Sequence, residues 1–117
     1  MKHHDANRKF GRERKVRVAF MRSLAHNLIL NEKIITTEAR ARAVRPYLEK
    51  LVTFAKSDTV AHRRHVAARL GNDTEATARL FTTIGPRYIT RPGGYLRIVR
   101  VGTRAGDAAM RAYIGFV

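Results

Sequence analysis

The sequence predicts an α+β fold: a helix, a strand, three more helices and two strands, with the helices covering a small three-stranded mixed sheet and a basic N-terminal arm leading the chain. Three observations carry this prediction. Apolar residues recur three and four apart in several stretches between residues 13 and 85, the period of helices with one buried side. The β-branched run Lys33 to Thr37 and the period-two segment Ala109 to Val117 read as strands. Residues 1–12 show neither period, which makes them an arm ahead of one α+β domain spanning 13–117.

Taken in order, the first helix runs from about Glu13 to Glu32, with Phe20, Leu24 and Leu28 four apart and Met21, Ala25 and Ile29 beside them. Lys15, Arg22 and His26 fall on another face of the same helix. After the strand at Lys33–Thr37, Thr37 is placed to cap a second helix whose first turn holds Glu38, where the helix dipole favours an anion. Val44, Leu48, Leu51, Val52 and Ala55 form its buried stripe, and Pro46 inside it is expected to kink or split the helix. Asp58 or Thr59 caps a third helix that ends at Leu70–Gly71. The fourth starts at Asn72, with Glu75 three residues on as in a capping box, buries Ala76, Leu80, Phe81 and Ile84, and closes at Gly85-Pro86.

A hairpin ends the chain. Pro92-Gly93-Gly94 cannot extend a helix and lets the backbone turn sharply. Tyr95 to Val101 then forms one strand, Thr103 to Asp107 the turn, and the returning strand sets Met110, Ala112, Ile114 and Phe116 on one face. The alternation leaves open whether Leu96 and Ile98 or Val99 and Val101 face the helices. Arg87, Arg91, Arg97, Arg100, Arg104 and Arg111 crowd this hairpin against one acid, Asp107.

Charge points to function. The chain carries 24 Lys and Arg against 9 Asp and Glu, a formal charge of +15 in 117 residues. Such self-repulsion is relieved by a polyanion, and the preference for arginine, 18 of the 24 cations, suits phosphate recognition and base stacking. Tyr88, Tyr95 and Tyr113 either fill the core or stack on bases. The absence of cysteine removes disulfides, thiolate nucleophiles and zinc-thiolate sites. No apolar run approaches the ~20 residues of a membrane span, and Arg22 and His26 interrupt any signal-like segment, so a cytoplasmic protein is expected.

Chemistry finds little purchase. His62 and His65 are spaced like a two-ligand metal site, but no third or fourth ligand follows at metal-binding spacing. Glu38, Asp58, Asp73 and Glu75 sit at helix starts, which accounts for them without a paired-carboxylate site. Gly93-Gly94 leads into a strand and lacks the Gly-Lys-Ser/Thr of a phosphate-binding loop. No catalysis, metal, cofactor or small-molecule substrate is expected.

An ordered set of segments then carries a resemblance: Met1-Lys2-His3, Arg8-Lys9-Phe10-Gly11-Arg12, Ile34-Ile35-Thr36-Thr37-Glu38-Ala39-Arg40-Ala41, Leu51-Val52-Thr53-Phe54-Ala55-Lys56, Gly85-Pro86-Arg87-Tyr88, Arg91-Pro92-Gly93-Gly94-Tyr95-Leu96-Arg97-Ile98 and Arg104-Ala105-Gly106-Asp107-Ala108-Ala109. Nearly end to end, the chain resembles the bacterial large-subunit ribosomal protein seventeen family. The resemblance implies a non-catalytic constituent of the large subunit that binds its ribosomal RNA beside neighbouring ribosomal proteins near the peptide exit region. It departs from the family at Lys15-Val16-Arg17, Arg22-Ser23-Leu24 and Ala105. Lys2, His3, Arg8, Lys9, Arg12, Lys15 and Arg22 are the expected first RNA contact, and Arg91, Arg97 and Arg104 the second. Arg97 has a competing role as an internal anchor for the Gly93-Gly94 turn.

Overall fold

The computed structural model describes residues 14–117. Helix α1 (Arg14–Asn31) leads into strand β1 (Lys33–Thr37), which passes without a loop into α2 (Glu38–Ala55). Helices α3 (Val60–Arg69) and α4 (Thr74–Arg79) follow, and then β2 (Leu96–Thr103) and β3 (Met110–Phe116). The element order is the expected one. The sheet differs: its order is β1-β3-β2 and both pairings are antiparallel, so it is not mixed. The reason lies at the α1–β1 junction. Glu32 turns the chain at φ 64, and its carbonyl accepts the Phe116 N–H at 3.0 Å, which starts β1 running against the end of β3.

The register decides which side of β2 is covered. Leu96 lies opposite Phe116 and Ile98 opposite Ile114, on the same face as buried Ala112, so the Leu96/Ile98 side meets the helices while Val99 and Val101 stay exposed. Helix α2 lies against that face. Its stripe Val44, Leu48, Leu51, Val52 and Ala55 is buried, joined by Ala25, Leu28 and Ile29 of α1 and by Leu80, Phe81 and Ile84. Each fully buried aliphatic side chain contributes about 1.5–3 kcal/mol before conformational entropy is deducted, so this stripe dominates the fold's cohesion.

Local signals held, with three corrections. Thr37 caps α2 by accepting the Arg40 N–H, and Thr59 rather than Asp58 caps α3 by accepting that of His62. Gly71, at φ 69, ends α3 in a turn whose Asn72 N–H returns to the Ala67 carbonyl at 2.7 Å. The first correction concerns Pro46: of the kink or split expected there, the split does not occur, and α2 is continuous from Glu38 to Ala55. It sits on the exposed side of the helix. The second is the α4 cap, which is Asp73 accepting the Ala76 N–H at 3.1 Å; Asn72, at φ 63, belongs to the preceding turn. The third is the Gly85-Pro86 stop. Helix α4 continues through a π turn at Leu80–Ile84 and a last α turn at Gly85–Arg87. Proline at the head of a helical turn forfeits no bond that the turn requires, and Gly85 is there for room: an added Cβ would lie 2.3 Å from the Ala55 carbonyl oxygen.

Candidate nucleic-acid interface

The acids show which cations are already engaged. Glu38 holds Arg42 and Arg100, at 2.7 and 3.1 Å. Glu32 holds Arg79 and Arg87, at 3.2 and 2.5 Å. Asp58 takes Arg63 and Asp107 takes Arg104. The Glu32 carboxyl is held below its ordinary range, chiefly by the Arg87 hydrogen bond against the opposing effect of burial, and the Arg87 guanidinium is correspondingly raised. Asp107 is drawn down to about 2, first by Arg104 and then by the Ala109 N–H. Acids of this chain thus tie arginines to the fold, and the cations left over define the surface open to a polyanion.

The expected RNA-contact residues separate into groups. Lys2, His3, Arg8, Lys9 and Arg12 lie outside the described residues. Lys15 is exposed on the first turn of α1. Arg22, two turns on, is instead folded back: its Nε donates to the Arg69 carbonyl at 3.2 Å, and its side chain lies over Gly71, where an added Cβ would meet the guanidinium at 3.1 Å. A cation there neutralises the negative end of α3. His26, next along that face, meets Asp73. The basic ridge read along α1 is therefore broken, with its later half serving as a clamp on α3 and α4.

Arg91, Arg97 and Arg104 are all exposed but do not converge. Arg91 stands in the loop before β2, its Nε donating to the Gly93 carbonyl at 3.1 Å. Arg97 projects from the start of β2, and Arg104 lies at the hairpin tip, roughly 20 Å away at the rise of an extended strand. The three thus line a hairpin-long edge rather than a point, and Arg104 is among the cations already held by an acid, Asp107.

Arg97 does not anchor the glycine turn. That task falls to α2, through residues the sequence reading passed over. Glu49 accepts the Tyr95 N–H at 3.0 Å, while Lys56 donates to the Arg91 carbonyl at 2.7 Å and to the Tyr95 hydroxyl at 2.9 Å. Burial alone would raise the Tyr95 hydroxyl, but Lys56 and Thr53 more than offset it and the net shift is downward. Gly93 and Gly94, at φ 124 and 63, supply the left-handed backbone that this loop needs. The i, i+4, i+7 spacing of Glu49, Thr53 and the C-cap Lys56 along one side of α2 was the available signal. What they grip comes from some 40 residues away in the chain and left no local trace.

The other singled-out residues have structural work. Tyr88 and Tyr95 are buried with ring centroids 5.3 Å apart, whereas Tyr113 is half-exposed on the sheet. His62 and His65 both lie against the Phe54 ring, at 5.4 and 4.3 Å, and His62 Nδ1 is 2.7 Å from the Ser57 carbonyl. Among the described residues no three metal-ligating side chains gather, and no helix is long and apolar enough to cross a membrane.

Comparison with known proteins places this basic chain in a family. The family model described as Ribosomal protein L17 matches residues 20–117. The chain belongs to the ribosomal protein L17 family. It is 50% identical over 117 residues to the large ribosomal subunit protein bL17 of Thermomicrobium roseum, a match covering 100% of this chain and 99% of that relative. Members of this family are structural proteins rather than enzymes, and so is this chain.

Proposed function

We propose that the chain is a structural constituent of the large ribosomal subunit, working in the cytoplasm within the ribosome. In this reading the arm of residues 1–12 and the head of α1 enter among rRNA phosphates, and the hairpin of the domain spanning 13–117 lies along a second RNA segment. Neighbouring large-subunit proteins near the peptide exit region adjoin it. The observation that carries the reading is the division of the cations. Acids hold Arg42, Arg63, Arg79, Arg87, Arg100 and, of the expected contacts, Arg104, while Lys15, Arg91 and Arg97 stand exposed with no acid beside them among the described residues. Bringing RNA segments together costs phosphate repulsion, which a fixed cationic wedge offsets without any chemistry.

The test is a salt titration of the full chain with large-subunit rRNA. A footprint of about eight phosphates predicts a slope of log affinity against log salt of roughly −6 to −7. The double substitution Arg91→Gln/Arg97→Gln should make that slope shallower by about 1.5–2. A wild-type slope near −1, or a chain that travels apart from large subunits on fractionation, would overturn the assignment.

A further inference from the structure

The sheet face turned away from the helices has no cover among the described residues. Strand alternation sets Lys33, Arg97 and Arg111 on it with Ile35, Val99 and Tyr113, and no acid shares that face. The register arranges them in rows across the strands: Lys33, Gly115 and Arg97, then Ile35, Tyr113 and Val99, then Arg111 beside Thr37. Unlike Arg100 on β2, which pairs with Glu38, these three cations make no ion pair or side-chain hydrogen bond among the described residues. Ile35 is 61% exposed and Val99 48%, on either side of the tyrosine. Scattered exposed aliphatics are ordinary, but an apolar row between cationic rows is a patterned surface.

Gly115 adds a second, independent sign. Its backbone is not in the left-handed region, and glycine inside a strand costs stability, so the conformation does not call for it. A Cβ at that position would lie 2.6 Å from the Tyr113 hydroxyl and 2.9 Å from Cζ. Tyr113 therefore lies down along β3 in the space that glycine leaves, between Lys33 and Arg97. Its hydroxyl bonds to nothing among the described residues.

We infer that this open face receives unpaired nucleotides of the large-subunit rRNA, with a base stacked on Tyr113 and the adjoining phosphates on Lys33, Arg97 and Arg111. The inference rests on the rRNA-binding reading above and adds to it a surface and a mode of contact. Four residues separate the Arg111 row from the Arg97 row, about 13 Å at the rise of a strand, room for a short run of nucleotides. Stacking on a tyrosine is tolerant of sequence, because every base has a π-face. A nucleic acid fits this face better than a protein segment does, since three unpaired cations without one acid would leave most protein partners with charges to compensate.

The test uses the full chain and large-subunit rRNA transcribed in vitro, free of other proteins. Tyr113→Ala should weaken binding about five- to hundredfold, as loss of base stacking does, with the salt slope unchanged because stacking releases no counterions. Tyr113→Phe should bind like wild type. Arg97→Gln/Arg111→Gln should instead make the slope shallower by about 1.4, the single-strand value for two phosphates. Tyr113→Leu keeps an apolar side chain without a stacking plane; it should show the same loss and serves if the alanine variant fails to fold. A steep wild-type slope with Tyr113→Leu indistinguishable from wild type would overturn this inference and leave the rRNA reading standing. A shallow wild-type slope would remove both. Unchanged binding to free rRNA but loss of the variant from assembled subunits would give the face to a protein and overturn the RNA assignment.

Discussion

Gly85 offers a prediction whose sign depends on the tertiary structure. Its φ of −54 and ψ of −51 are helical, so alanine fits the backbone and on propensity alone would stabilise by about 1 kcal/mol. The new methyl, however, would lie 2.3 Å from the Ala55 carbonyl oxygen and 2.8 Å from its carbon. Those atoms are backbone at the end of α2 and have no rotamer through which to give way, so α2 and the π turn must separate by the better part of an ångström. Overpacking costs about 1–3 kcal/mol, and the rigidity of the obstacle argues for the upper end. Steric cost therefore exceeds propensity gain, and Gly85→Ala should destabilise by about 2 kcal/mol, lowering the melting temperature by roughly 8–10 °C in a chain of this size. Thermal circular dichroism of Gly85→Ala beside Ala78→Gly, an exposed site in α4 expected to lose about 1 kcal/mol from propensity, separates the two effects. A melting temperature at or above wild type in Gly85→Ala would refute the argument that contact with α2 fixes this residue.

Three further outcomes are expected. Glu32 has a lowered folded-state pKa, so its stabilisation is present above the ordinary value of 4.5 and fades as pH falls through the lower folded value. Glu32→Gln should flatten acid destabilisation in that window and cost about 1 kcal/mol at neutral pH, a figure kept small because Glu32 and its two arginines are each about a third or more exposed. Melting curves from pH 7 to 3 test both. An NMR titration should find Asp107 near 2, and Arg104→Gln should return it towards the ordinary 3.8. Asp73→Ala removes both the α4 cap and the partner of His26 and should cost about 1–2 kcal/mol by denaturant unfolding, whereas Asp73→Asn, which keeps a capping oxygen, should lose less.

The sequence by itself determined the order of elements, the buried stripe of α2, the cap at Thr37 and the hairpin's buried face at Ala112 and Ile114, and narrowed the α3 cap to Asp58 or Thr59. Each of these is a local matter: one side of a helix or strand, or one side chain reaching three residues along the chain. It also pointed to a polyanion as the expected partner, because total charge needs no coordinates. Tertiary structure alone decided that the sheet is antiparallel throughout, that Arg22 caps α3, and that Glu49 and Lys56 hold the glycine turn. The same holds for Gly85, which reads as a stop signal until Ala55 is found against it, and for Tyr113, whose exposure follows from which face α2 covers. These features depend on segments far apart in the chain coming within a few ångströms, and a periodicity confined to one segment carries no information about what arrives opposite it.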